Sequence, residues 1–297
     1  MTSILITGVT GSFGRSFLKH TEDRTTWDIL GIARGEARLE KLKSSGTRAV
    51  LLPRDVTDWA GLASLPHADH IVHAAALKRV SSSYENAEEY ARVNIGGTIN
   101  VARLAKQAGA RLLFISSDKA VQAHNIYGAT KRVGEGIVLA AGGSVVRGGN
   151  VWMSDGSVSQ KFAAAVLVGK PAVLHDANAT RFHLAMGFWV NFVLTCLLQM
   201  HGGEIFAPKL AAYGMGDLAD AFHKMRGLGA TQGKRQPGDK RHEYLFSPAE
   251  APWVVETDWA LVQGKGWQGA PLSLSGENSK DARRMTAAEL EELVRQL

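Results

Sequence analysis

The chain has 297 residues, 45% of them hydrophobic, and carries 34 Lys and Arg against 28 Asp and Glu, a formal charge of +6. That is enough apolar material for one large α/β domain with an appended lobe. The basic excess is interleaved with carboxylates, as in Arg38-Leu39-Glu40-Lys41, so no nucleic-acid partner is expected, and a lone cysteine, Cys196, excludes an internal disulfide.

Short apolar runs alternate with amphipathic stretches through the first half, the rhythm of βαβ units and a parallel sheet. The predicted strands are Ser3–Thr7, Asp28–Ala33, Ala49–Leu52, His70–His73, Arg111–Ser116 and Ser144–Arg147. Helical patterns lie between them at Phe13–His20, Arg38–Ser44, Tyr84–Ala108 and Tyr127–Ala140. After about Gly149 the rhythm loosens. A helix is predicted at Gln160–Val168 and a buried one over Met186–Met200, a stretch too short for a membrane span and broken by Asn191 and Gln199. Cys196, inside that run, is expected to be a buried spectator. A short strand near Glu204–Ala207, a helix Gly216–Arg226, a loop Gly227–Arg241 and a helix Thr286–Leu297 complete the chain. Thr286 with Glu289 forms a capping box at the start of the last helix. The residues before Gly8 are too few and too uncharged for a signal peptide. The expected fold is therefore α/β, a Rossmann-type doubly wound parallel sheet over residues 1–150. A smaller substrate-binding lobe follows over 151–297, with chain crossovers between the two allowed.

The first strand runs into Gly8-Val9-Thr10-Gly11-Ser12-Phe13-Gly14 and then a helix. Glycines three apart let the backbone turn tightly and approach a pyrophosphate, and the helix start offers free N–H groups. Dinucleotide choice is read at the end of the second strand. Arg34 stands there, favouring the 2′-phosphate of NADP over NAD. Asp55-Val56 follows the third strand and is expected near the adenine. Ala74-Ala75-Ala76 after the fourth strand gives a small-residue floor, and Asn94 is expected to bond backbone and steady the site. His67, His70 and His73 are joined by no Cys or carboxylate cluster, so no metal is expected.

The strand Arg111–Ser116 ends in Ser117-Asp118-Lys119-Ala120, followed by Asn125-Ile126-Tyr127-Gly128-Ala129-Thr130-Lys131. A Tyr with a Lys four residues on, along one helix face, is the redox acid/base of a nicotinamide enzyme, the lysine lowering the phenol's pKa. Asp118 and Lys119 add a second acid and a second base, which oxidation alone does not need. With Thr7–Gly14, His73–Lys78, Gly149–Val151, Thr180–Phe182, Met200–Phe206 and Pro237–Glu243, these motifs resemble the extended short-chain dehydrogenase/reductases. The chain is most similar within them to the inverting UDP-N-acetylglucosamine 4,6-dehydratases of polysaccharide biosynthesis. The resemblance spans roughly the first 245 residues, and the Asp-Lys dyad is its discriminating motif.

That resemblance implies a cytoplasmic homo-oligomer that recycles its NADP and acts on a UDP-linked sugar, away from membranes. Tyr127 and Lys131 would serve oxidation at C4, Lys119 would take the C5 proton, and Asp118 would help water leave C6. Lys78, Asn150, Arg181, Lys240 and Glu243 would touch the UDP or the sugar. A nucleotide-sugar 4-epimerase, 5-epimerase or 5,6-dehydratase, or a non-catalytic NADP-sensing protein, remains open. Three positions depart from the family pattern. Gly148 stands where a tyrosine is usual, Asp155 near a basic position, and His183 where a tryptophan is common.

Overall fold

The computed structural model describes residues 2–227, 229–235 and 237–297, so Leu228 and Gln236 of the expected 227–241 loop lie outside the described residues. Six parallel strands form the heart of the molecule: β1 (Ser3–Thr7), β2 (Asp28–Ala33), β3 (Val50–Pro53), β4 (His70–His73), β5 (Arg111–Ile115) and β6 (Ser144–Val146). They are ordered β3-β2-β1-β4-β5-β6, and the order reverses between β1 and β4. Helices cover both faces, so Ile4, Leu5 and Ile6 of β1 are all buried, and the strand reads as a continuous apolar run. The C-terminal ends of β1, β4 and β5 border one crevice, where doubly wound folds take their ligands.

The sheet continues past β6. The strand Ile205–Ala207 pairs parallel to β6, and Leu261–Gln263, Val254–Glu256 and the two-residue Ala270–Pro271 then add antiparallel, for ten strands in all. Only the first of these four was expected. The other three have two or three residues each, too few to show a two-residue apolar period. The chain thus crosses back over the expected boundary at residue 150. A second apolar core gathers Phe162, Leu174, Tyr213, Leu218, Phe222 and Leu290 from the later helices and strands. The last helix, Ala287–Arg295, begins with the expected capping box.

The single helix expected over Tyr84–Ala108 is broken into helices Val80–Glu85 and Ala87–Tyr90, a π-helical turn Ala91–Gly96 and a helix Gly97–Ala108. Asn86 interrupts it with non-helical angles (φ −128°, ψ 42°), and the wide turn carries Asn94, itself buried. The helix Met186–Gln199 buries Trp189, Val193, Cys196 and Leu197, and burial pushes the Cys196 thiol up. Among the described residues no helix is long and apolar enough to cross a membrane.

One charged network ties the layers together. Arg147, fully buried just after β6, donates from Nε and Nη2 to both oxygens of Glu135 at 2.9 and 2.8 Å. It reaches Glu250 at 2.7 Å and the Leu245 carbonyl at 2.9 Å. Burial alone would raise both carboxyls, but the Arg147 charge and its hydrogen bonds hold them below the ordinary glutamate range. Stability from depressed carboxyls is fully present above about pH 4.3, the unfolded glutamate pKa, and is lost as pH falls below it. Arg147→Met removes the buried counter-charge of Glu135 and Glu250, leaving them only the half-exposed Arg132, and is expected to cost about 3 kcal/mol. Urea unfolding at pH 7 measures this, and an unchanged midpoint would refute the network's role.

Candidate active site

Gly8 adopts φ +72°, and a Cβ there would come within 2.8 Å of the Ala75 backbone. Gly14 is tighter still, since a Cβ would sit 2.4 Å from the Gly8 carbonyl oxygen. The turn from Gly8 through Thr10, Gly11, Ser12 and Phe13 therefore lies directly on Ala74-Ala75-Ala76, whose first two amides bond Thr7 at 3.3 and 3.2 Å. No side chain caps the helix Ser12–Arg24 that follows, so its first N–H groups stay open toward the crevice. A backbone stripped of Cβ atoms beneath an uncapped helix start fits a dinucleotide diphosphate. Asn94 does what the sequence suggested: its side chain takes the Leu77 amide (2.8 Å) and carbonyl (2.9 Å) and reaches Thr130 Oγ1 (2.9 Å). Asp55 Oδ1 accepts from the Thr57 amide at 2.9 Å, and Val56 is buried beside it. Arg34 is drawn to Glu89 at 3.2 Å and Asp55 at 3.9 Å.

The three histidines have separate employments. His73 is buried between the hydroxyls of Thr7 (2.7 Å) and Thr98 (3.0 Å), and burial, with Lys131, lowers its pKa to about 3. His70 stacks on Trp27, and His67 lies 3.5 Å from Asp69.

Beyond β5 the chain makes a 3-10 turn, Asp118–Ala120, capped by the Ser117 hydroxyl. The Asp118 amide donates to the Gly148 carbonyl at 2.9 Å, pinning the turn against the end of β6. Asp118 has no exposed surface. Its Oδ1 accepts from Ser117 (2.8 Å) and Lys119 Nζ (3.0 Å), while Oδ2 is buried without a hydrogen-bond partner among the described residues. Lys119 Nζ also donates to Asn150 Oδ1 at 2.9 Å and lies 3.6 Å from Glu243. Burial would lower the lysine's pKa, but Asp118 and Glu243 more than offset it and hold the amine above the usual lysine range.

Tyr127 opens the helix Ile126–Ala140, which Asn125 caps by accepting from the Gly128 amide at 2.8 Å. Burial pushes the phenol up to about 12, and Lys119 and a bond from Ser117 pull against that rise. Lys131 follows one turn later on the same helix. Its Nζ donates to the Ile115 carbonyl at 2.5 Å and lies 3.9 Å from the centre of the Phe114 ring. Burial brings it down to about 7 against the charge of Glu135.

Residues placed on the substrate side divide by depth. Lys78 is exposed beside the cofactor turn, and Asn150 and Arg181 are half-buried. Arg181 Nη1 donates to the Thr180 and Arg241 carbonyls at 2.7 and 3.1 Å. Lys240 is buried beneath the dyad and is committed to the Asp118 carbonyl (3.2 Å), the Val121 carbonyl (2.8 Å) and Glu243 (2.8 Å). Glu243 is buried between Lys240 and Lys119, and although burial opposes it, those cations and Arg181 bring it down to about 2. Both therefore brace the dyad from below. Ser117 and Tyr213, the latter buried opposite Arg181 in the strand pair, also belong to this cluster. A hydroxyl immediately before the dyad was a readable signal for Ser117. Tyr213 offered none.

The departures at Gly148, Asp155 and His183 acquire physical settings. A Cβ at Gly148 would meet the Trp189 indole at 2.9 Å, so Trp189 fills the space a side chain there would need. The Asp155 amide donates to Ser12 Oγ at 2.9 Å and its carboxylate lies 3.7 Å from Arg15, which straps this loop over the cofactor turn. His183 packs between Trp152 and Tyr213, its Nδ1 buried without a partner among the described residues.

Gly128 makes the assembly possible, because a Cβ there would fall 2.1 Å from the Lys119 carbonyl oxygen. Gly128→Ala must push the dyad away from Tyr127. Displacements near 1 Å at a reacting centre cost about 10²-fold. Turnover is expected to fall by that order while the nucleotide still co-purifies with the protein. Unimpaired turnover would show that this contact does not place the dyad.

Residues 4–259 match the family described as "Polysaccharide biosynthesis protein". The inverting UDP-N-acetylglucosamine 4,6-dehydratase of Campylobacter jejuni is 34% identical over 274 residues, covering 86% of this chain and 80% of that protein. UDP-glucose 4-epimerase of Rickettsia canadensis is 28% identical, over 98% of this chain and 95% of that one. Among solved structures, Pen from Bacillus thuringiensis superposes with a TM-score of 0.92 at 24% identity, covering 99% and 97% of the two chains. The dTDP-glucose 4,6-dehydratase DesIV of Streptomyces venezuelae, solved with NAD and TYD, gives 0.75 at 16% identity, covering 99% and 96%. The chain belongs to the polysaccharide-biosynthesis family of extended short-chain dehydrogenase/reductases, within the nucleotide-sugar dehydratase and epimerase superfamily.

Proposed function

We propose that the protein is a nucleotide-sugar 4,6-dehydratase that acts on UDP-N-acetylglucosamine or a close UDP-hexose, inverts C5 and recycles NADP. The observation that carries this reading is the buried Asp118–Lys119 pair, packed against Tyr127 with one carboxylate oxygen left unsatisfied. A 4-epimerase has no use for a second acid and base. The relative named as an inverting dehydratase points the same way. Arg34 supports NADP, whose nicotinamide supplies a hydride acceptor that becomes the donor later in the same turnover.

The chain's own groups then divide the proton work. Tyr127 first yields its own phenolic proton to solvent; the phenolate then takes the hydroxyl proton at C4 as that carbon is oxidised, and the new ketone acidifies C5. The resting ammonium of Lys119 cannot act as a base until it loses a proton. Asp118 Oδ1, 3.0 Å away, is placed to receive it. That single transfer gives a neutral amine and a carboxylic acid together, the base for C5 and the acid for the departing C6 hydroxide. Lys78, Asn150 and Arg181 line the approach for the nucleotide and sugar, with Lys240 and Glu243 supporting from beneath. The Rickettsia relatives keep a 4-epimerase as the second reading.

Lys119→Met separates the two. In a dehydratase, oxidation at C4 still proceeds and elimination stalls, so absorbance near 340 nm accumulates and loss of water from the sugar slows by roughly 10²–10⁴-fold. Tyr127→Phe blocks the first step and leaves 340 nm flat. Mass spectrometry of the nucleotide-sugar in deuterated solvent gives a second reading, since C5 should acquire deuterium. Full activity of Lys119→Met, or product with no deuterium at C5, returns the epimerase to first place.

A further inference from the structure

The adenosine end of the crevice holds a charge arrangement that the proton chemistry leaves unused. Arg34 stands where dinucleotide folds read the ribose 2′ position, yet its guanidinium already has partners. Nη1 lies 3.2 Å from Glu89 Oε1 and 3.9 Å from Asp55 Oδ2. Glu89 is not free to swing away. Arg92 grips both its oxygens, Nε to Oε2 at 2.7 Å and Nη2 to Oε1 at 2.9 Å, and is itself fixed to Thr57 Oγ1 at 2.6 Å. The hydrogen bonds from Arg92 and Arg34 hold the Glu89 carboxyl below its ordinary range, so it is an anion at neutral pH. Two arginines and two carboxylates cancel.

A ribose 2′-phosphate brings a charge of about −1.5 to −2. To reach Arg34 it must displace Glu89 and then sit beside two carboxylates. A 2′-hydroxyl is neutral, displaces nothing, and can donate to a carboxylate. We infer that Glu89, locked by Arg92, is a specificity-determining residue that restrains Arg34 and leaves NADP only a narrow margin over NAD. The acid that NAD-binding folds place at the end of the second strand is absent from that position here. Glu89 brings one to the same place from 55 residues away. This inference rests on the nicotinamide-dinucleotide reading above.

The test reads bound nucleotide and not activity. Full-length wild-type, Glu89→Gln and Glu89→Gln/Arg34→Gln proteins are equilibrated with excess NAD+ and NADP+ at fixed ratios, and the nucleotides retained through gel filtration are quantified by mass spectrometry. Wild type should retain the two within about fivefold of the supplied ratio, as expected for half-exposed ion pairs. Glu89→Gln should shift retention toward NADP by about tenfold. The shift should shrink as salt rises and vanish in the double variant. An unmoved ratio in Glu89→Gln, a shift toward NAD, or a shift that survives in the double variant overturns the inference. So does a wild type that already prefers NADP a hundredfold. A wild type that retains neither nucleotide defeats the dinucleotide reading itself, an outcome distinct from retention at an unmoved ratio.

Discussion

A carboxylate with no exposed surface must be matched by positive charge or it costs several kcal/mol, and Asp118 is such a carboxylate. Lys119 supplies the nearest compensation. Glu243 approaches the same ammonium, and Lys240 balances Glu243 in turn while tying down the carbonyls of Asp118 and Val121. Each of these charges limits where the others can go. The end of β5, the tyrosine helix and the 240–243 segment are positioned by the need to bury these groups together. Moving a proton from Lys119 to Asp118 changes no net charge in the buried volume. Reactive groups can therefore be generated there without importing an uncompensated ion.

Structural and chemical charge networks lie side by side without sharing members. Arg147, Glu135 and Glu250 form a saturated cluster that binds β6 to the tyrosine helix and the later loops. Every Arg147 nitrogen has a partner, which suits a fastener. The dyad differs in one respect: Asp118 Oδ2 is left without one. Buried polar atoms are nearly always paired, so an orphan at the edge of the crevice sets the dyad apart from a structural fastener. The contrast distinguishes the two networks more sharply than burial does, since both are deeply enclosed.

The parallel core was legible because each strand is an apolar run framed by glycine-rich turns and amphipathic helices. The cofactor turn was legible for a related reason, since Gly8 and Gly14 are demanded by backbone contacts that leave no room for any other residue. The short antiparallel strands from 254 to 271 were not, because two or three residues cannot express a period. Nor was the long-range bracing. Lys240 meets Asp118 across 122 positions, and no local pattern announces that. Nor does spacing along a helix show that the Lys131 ammonium donates to the Ile115 carbonyl.

The two outermost strands of the sheet, β3 at one end and Ala270–Pro271 at the other, each carry a proline. The Arg54 amide donates inward to Ala33, and the Leu272 amide donates inward to Val254. Alternation along a strand then turns the backbone of Pro53 and of Pro271 outward. At those two positions the edge has no N–H to give to a further strand. An open ten-stranded sheet would otherwise present two templates for pairing with another chain. Here each outermost strand is interrupted by a proline, which weakens it as a template for pairing with another chain.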